Sequence, residues 1–518
     1  MALCFNLERH NLTMQPPPAT VQRTMPERAY DLLIRGGTVI DGSGAPGVRA
    51  DVAVRGAFIA GVGQIDGPAR RTIDATGRAV TPGFIDVHAH DDAAVLTTSM
   101  DFKLMQGVTT DIVGNCGAGI APAMDGGARG LPGVEVVLGP LPEVSWRTFG
   151  EYMEAIDAAR PAVNVGCFVP HGIVRARHVG MERREPDLDQ LAEMREDVEE
   201  GMAAGALGMS TGLIYLPGRF AETDEIISLA QVVADHGGIY MSHIRNESEH
   251  LLSAVREAIE IGRQAGCPVE ISHHKASDRP NWGRTVDSIR VIEEARESGV
   301  DVTFDVYPYT AGSTILSAAR GVQEVIEPEM VIVASVQQRH EYEGKTLGQI
   351  GSMLGIDDVH DVVSRVLTEE PAAVAVFFSM HEDDVRRVLA HPLCMIGSDG
   401  IPSPSGKPHP RLYGTFPRVL GKYVREEKLV TLEEGVRKMT SLPARRMNLP
   451  DRGELREGFA ADIVVFNPDT IADLATYEDP RQYPAGIDCV IVNGEIAAER
   501  GRQTSARAGR LLRRGQPA

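Results

Sequence analysis

Between Phe84 and Arg446, apolar strand-like runs alternate with amphipathic helical stretches such as DLDQLAEMREDVEEGMAAG and HLLSAVREAIEIGRQAG. Few folds accommodate that alternation. Each helix must return the chain to a new strand parallel to the last, so the pattern predicts a parallel β/α architecture, and 84–446 is long enough for an eightfold, TIM-like (β/α)8 barrel. One segment breaks the rhythm. From about 276 to 372 the chain carries NWG, DVYPYTAGST and a long helical portion, and this segment is expected to be an insertion over the barrel mouth.

The flanks follow a different grammar. Residues 29–83 hold YDLLIRGGTVIDGSG, ADVAVRGAFIAGVG and RRTIDATGRAVTPGF, and residues 447–518 hold GFAADIVVFNPDT and CVIVNGEIAAERG, with a hairpin signal at Asn493-Gly494. These short β-type runs predict one small discontinuous β-domain built from both terminal segments. Residues 1–28, with scattered charges and Pro16 to Pro18, read as a disordered lead-in.

Composition narrows the function. A formal net charge of -20 opposes a nucleic-acid-binding surface. No apolar run is long enough to span a bilayer, so no membrane partner is expected. Cys4, Cys116, Cys167, Cys267, Cys394 and Cys489 are few and scattered in 518 residues, which fits reduced thiols in a cytoplasm. Oligomeric state is not legible.

Reactive side chains of a β/α barrel sit at the carboxyl ends of its strands. FIDVHAHDD ends its run in His88 and His90, which strand alternation places on one face. GVTTDIVGNCG ends in Cys116, GGIYMSHIRNE in His243, PVEISHHK in His273 and His274, and PLCMIGSDG in Asp399. Taken singly, Cys116 is a small buried hydrophobe, Asp399 a turn residue and His243 a satisfied core histidine. Together, at the ends of successive strands, they predict a metal centre on one rim. Of the adjacent histidines only one faces the mouth. His273 shares its strand face with Lys275, and His274 turns away.

These residues resemble the amidohydrolase superfamily and, within it, the N-acyl-D-amino-acid deacylase (D-aminoacylase) family. The likeness runs from about Asp31 to Asn493 and rests on DGSG, PGFIDVHAHDD, GVTTDIVGNCG, GALGMSTGLIYLPG, SHIRNE, ISHHK, YPYTAGST, GSDG and HPRLYGTFPRVLG. It implies a tight zinc site of Cys116, His243 and His273, with His88 and His90 the ligands of a second, weaker site. Many binuclear amidohydrolases bridge their metals with a carboxylated lysine from the middle of the barrel. This chain has no lysine between Lys103 and Lys275, and the Cys116 thiolate takes that place. A soft thiolate with imidazoles favours zinc over magnesium or calcium.

Zinc would acidify a water and polarise an amide carbonyl. Asp399 is the candidate general base, carrying the water's proton to the departing amine. An N-acyl amino acid brings a carboxylate, and Lys275 is placed as its positive partner. The resemblance implies that Tyr215 and Tyr307 supply hydroxyl donors beside it, although Tyr215 has a purely packing alternative. Arg411 has two open roles, binding an acidic side chain or bracing its loop. The expected activity is hydrolysis of N-acyl-D-amino acids to a carboxylic acid and a free D-amino acid, with the D preference resting on the resemblance alone. One rival is a cyclic amidase of the hydantoinase or dihydroorotase kind, opposed by the missing bridging lysine and by Lys275. The other is a non-catalytic scaffold, opposed by the complete ligand set.

Overall fold

A computed structural model of the chain describes residues 30–124, 138, 141, 143–318, 327–403 and 406–517. The expected lead-in at 1–28 lies outside them. Eight parallel strands form the central sheet: β1 (Phe84–Asp86), β2 (Val108–Val113), β3 (Asn164–Pro170), β4 (Gly208–Gly212), β5 (Ile239–His243), β6 (Val269–Ile271), β7 (Val302–Val306) and β8 (Cys394–Ile396). They follow one another in chain order around the sheet. The circle closes just past β1 and β8. There Ala89 bridges Gly400, the Asp399 N–H donates to the His88 carbonyl at 2.7 Å, and the His90 N–H donates to the Gly400 carbonyl at 3.1 Å. This is the expected (β/α)8 barrel, and its closure sets FIDVHAHDD against GSDG.

β2 and β3 are buried along their whole length, which is why barrel strands read as continuous apolar runs instead of alternating ones. The helices earn their places by capping and by one apolar stripe. Leu188–Ala204 starts on a capping box between Asp187 and Gln190 and stops at Gly205, whose φ of 105° suits glycine. Leu251–Ala265 buries Leu251, Ala254, Val255, Ala258, Ile259, Ile261 and Gly262, an i, i+3, i+4 stripe. Each fully buried Leu, Ile or Val contributes roughly 1.5–3 kcal/mol of transfer free energy.

The insertion is shorter than the expected 276–372. Thr285–Glu297 is a barrel helix and Val302–Val306 is β7. The departure holds three antiparallel strands, Gly312–Ile315, Val331–Ser335 and Val374–Phe377, with helices Leu347–Leu354 and Val359–Glu369. Val333, Tyr342, Ile350 and Val366 belong to its separate apolar cluster. The misreading has a physical origin. Asp305 interrupts the short run VTFDV, and it is buried there because the rim uses its carboxylate.

Strands from both terminal segments share one nine-stranded sheet, joined where Ala79–Pro82 pairs antiparallel with Ile463–Phe466. Asn493 (φ 45°) and Gly494 (φ 82°) turn the chain between Ile487–Val492 and Glu495–Glu499, both with the positive φ that such a two-residue hairpin requires. Among the described residues no helix is long and apolar enough to cross a membrane.

Candidate active site

Cys116 follows β2 in a sharp turn and takes a left-handed backbone, φ 53°. Two contacts fix that turn. The Asn115 side-chain amide donates to the carbonyls of Ala89 and Ile112, at 3.1 and 2.8 Å. β4 ends in Gly212 because a Cβ there would fall 2.0 Å from the Cys116 carbonyl oxygen. The thiol is thereby aimed at the barrel axis. Its Sγ lies 3.2 Å from His88 Nε2, 3.5 Å from His243 Nδ1 and 3.6 Å from His273 Nε2. Burial alone would push the thiol up, as it does at Cys167, Cys267, Cys394 and Cys489. At Cys116 the charge of His88 and hydrogen bonds from His243 and His273 outweigh burial and hold the thiol well below its usual range.

Asp399 stands across the same space. Its Oδ1 is 3.0 Å from His90 Nε2 and 3.6 Å from His88 Nε2, and its Oδ2 is 2.9 Å from Arg411 Nη1. Burial opposes ionisation, but the Arg411 guanidinium, His273 and His90 prevail and hold this carboxyl well below the usual carboxylate range. That favours its ionised form. Cys116, His273 (φ 34°) and Asp399 (φ 50°) all occupy the left-handed region, which non-glycine residues rarely enter. Such strain is sustained where surrounding contacts over-determine a site.

The other expected residues gather here, two of them already paired with carboxylates. His274 turns away onto Ser288 Oγ at 2.8 Å, as its spacing predicts. Lys275 does face the mouth, but it is not a lone cation: its Nζ donates to Glu247 Oε1 at 2.6 Å and lies 2.7 Å from His273 Nδ1. Tyr215 lies edge-on to His243 and shares a hydrogen bond at 2.9 Å with Thr314 of the insertion. Tyr307 lies between Lys275 and Arg411, 5.5 and 4.6 Å from its ring centre. Both tyrosines line a cavity with His243, His273, Lys275 and Asp399. Arg411 does not line it. Only 1% exposed, Arg411 pairs with Asp399 and donates to the Ser313 carbonyl, contacts consistent with the bracing role.

Three supporting groups were not singled out from the sequence. Glu247 Oε1 lies 3.0 Å from His273 Nδ1, so a proton kept on Nδ1 leaves the Nε2 lone pair facing Cys116. Asp305 accepts the His273 backbone N–H at 3.0 Å and faces His88 Nδ1 at 3.4 Å. Below them Lys103 is buried among Asp86, Asp91 and Asp111 at 2.5, 2.9 and 3.1 Å, and Asp86 also accepts the Ser398 N–H at 2.8 Å. The only sequence signals were a carboxylate four residues past His243 and charges inside apolar runs.

A divalent metal fits this donor set. The ligand atoms of Cys116, His243 and His273 lie within 4.8 Å of one another, as do those of His88, His90 and Cys116, and those of His88, His273 and Asp399, all buried. Three imidazoles converge on one sulfur that cannot satisfy them all, while His243 Nε2 and His90 Nδ1 are buried without hydrogen-bond partners. A cation relieves that crowding of donors.

A parallel barrel that gathers a thiol, imidazoles and a carboxylate on its carboxyl rim defines a metal-dependent amidohydrolase. The model of the Amidohydrolase family matches residues 71–288 and 289–498. D-aminoacylase of Alcaligenes xylosoxydans xylosoxydans is 43% identical over 488 residues, covering 94% of this chain and 98% of that protein. N-acyl-D-glutamate deacylase of the same organism is also 43% identical, over 94% of this chain and 97% of that protein. The crystal structure of N-acyl-D-glutamate deacylase from Bordetella bronchiseptica, complexed with zinc and a phosphonate mimic of the tetrahedral intermediate, superposes with a TM-score of 0.87 at 40% identity, covering 93% of this chain and 99% of that one. A D-hydantoinase structure, 15% identical with a TM-score of 0.58, shares the fold alone. The chain belongs to the N-acyl-D-amino-acid deacylase (D-aminoacylase) family of the amidohydrolases.

Proposed function

We propose that the chain is a zinc-dependent deacylase that hydrolyses the amide bond of N-acyl-D-amino acids, in the cytoplasm, to a carboxylic acid and a free D-amino acid. The observation that carries this reading is the convergence of His88, His243 and His273 on Cys116 with ionised Asp399 opposite. Cys116, His243 and His273 would hold the tight zinc, and His88 and His90 a second, weaker one. When bound, zinc supplies the Lewis acidity that polarises the scissile carbonyl and acidifies a water.

The protein's own groups do the rest. Asp399 takes the attacking water's proton and delivers it to the departing amine, and Arg411 keeps Asp399 ionised before the first transfer and aimed through both. Glu247 holds the His273 ring, and Asp305 holds its backbone. An ammonium has three donors, and Lys275 spends one on Glu247, so donors are left for the substrate carboxylate. Tyr215 and Tyr307 flank that position in the cavity wall.

Turnover of N-acetyl-D-methionine and N-acetyl-L-methionine by zinc-loaded protein tests the proposal. Release of methionine from the D substrate alone is expected, and hydrolysis of neither, with hydrolysis of a hydantoin instead, would overturn it. Lys275→Ala is expected to raise KM for N-acyl-D-amino acids about 10- to 100-fold, the loss of one charge-assisted hydrogen bond. The same variant should barely affect an analogue whose carboxylate is an amide. Equal losses on both would make Lys275 a structural partner of Glu247.

A further inference from the structure

HPRLYG places a histidine two residues before Arg411. His409 is buried and does not line the cavity. Tyr309 and Tyr477 meet its ring edge-to-face, each with its ring centre 5.1 Å away, and Tyr307 lies at 6.5 Å. Such a cage fits a packing role, but both ring nitrogens are spent on backbone groups. The Arg411 N–H donates to Nδ1 at 3.0 Å, and Nε2 faces the Ala311 carbonyl at 2.9 Å. A nitrogen that accepts carries no proton, so the ring proton sits on Nε2 and is donated to Ala311. Burial, and then the charge of Arg411, hold the imidazole well below its ordinary range, which preserves that single-proton form. The Tyr477 hydroxyl, 3.4 Å from Nε2, is a second, longer contact.

These two bonds join parts of the site that come from distant stretches of chain. Arg411 opens the helix Arg411–Arg418, whose cap residue Pro410 has no side-chain acceptor, and His409 supplies one for its first N–H. Both residues then reach one strand of the insertion, Gly312–Ile315. His409 holds the Ala311 carbonyl just before it, and Arg411 Nη2 donates to the Ser313 carbonyl at 3.0 Å. Thr314 of the same strand holds Tyr215 at 2.9 Å, while Arg411 Nη1 lies 2.9 Å from Asp399 Oδ2. A shift in the first turn of the helix would therefore carry the guanidinium off Asp399.

Resting on the deacylase reading, we infer that His409 is a positioning residue of the hydrolysis: by accepting the Arg411 N–H it fixes the guanidinium that aims Asp399. Two variants of the zinc-loaded enzyme set this role against packing, with N-acetyl-D-methionine as substrate. His409→Phe keeps an aromatic ring in the tyrosine cage and deletes the acceptor. His409→Asn deletes the ring and sets an amide oxygen near the place of Nδ1. Expected for His409→Phe is a kcat about 10- to 100-fold lower, the scale of a misplaced catalytic group, with zinc content kept and little change in KM. His409→Asn should recover most of that rate despite a lower melting temperature. Unmodified kcat in His409→Phe, or a loss in His409→Asn as large as that in His409→Phe or larger, overturns the inference and leaves the deacylase reading standing. Should His409→Phe not purify folded, His409→Gln is read against His409→Asn in the same way, since its amide reaches the Ala311 carbonyl but puts no acceptor at the place of Nδ1. No turnover by the unmodified enzyme overturns the reading, and the inference with it.

Discussion

Cys116→Ala is expected to yield a folded protein holding zinc at well below one equivalent per chain, with little deacylase activity. The change deletes the sulfur on which His88, His243 and His273 converge, and two imidazoles of the tight site alone hold zinc poorly. Folding survives because the barrel core is apolar packing that does not need the metal. The cost is one small buried truncation, roughly 1 kcal/mol. Were Cys116 only a packing residue, zinc content and turnover would both be unchanged. Cys116→Asp separates the lost ligand from any damage to the fold. A carboxylate returns an oxygen ligand and tolerates the φ of 53° better than alanine does, and its harder oxygen should shift preference toward manganese or cobalt. Metal analysis of the purified variants reads both outcomes.

Asp399→Asn is expected to lower kcat by about 10²- to 10⁴-fold, the usual contribution of a general base, while the tight zinc stays in place. Asparagine preserves volume and the left-handed backbone (φ 50°), and it can still hydrogen-bond His90. It cannot accept a proton. It also leaves the Arg411 guanidinium, 1% exposed, without its charge partner, so some loss of thermal stability should accompany the loss of rate. Loss of zinc together with activity would place Asp399 among the metal ligands instead.

The barrel was legible because a parallel sheet covered by helices imposes a rhythm that survives in a single sequence, and Gly205 and the Asp187 cap punctuate it as expected. The gathering of the candidate ligands was legible because strand ends are short, well-marked positions, and HAH, GNC, SH and HHK each fall at one. The boundary of the insertion was not, because Asp305 makes β7 look like a loop. Glu247 and the pairing of Lys275 were hidden for a different reason. Glu247 and Lys275 lie 28 residues apart, and only the packing of β5 beside β6 shows that the expected substrate cation is partly neutralised before any substrate arrives. Arg411 was ambiguous in the same way. A guanidinium reads identically in sequence whether it faces the cavity or stands behind Asp399.

The claim that joins fold, site and activity is that one metal equivalent on this rim switches on hydrolysis of D-configured substrates. Metal-stripped protein titrated with zinc, with N-acetyl-D-methionine hydrolysis followed at each step, tests it most directly. Turnover should start near zero, rise in proportion to bound zinc and stop rising in proportion at one equivalent, with the L enantiomer untouched throughout. Full turnover by the metal-stripped protein, or none at any zinc loading, would contradict it.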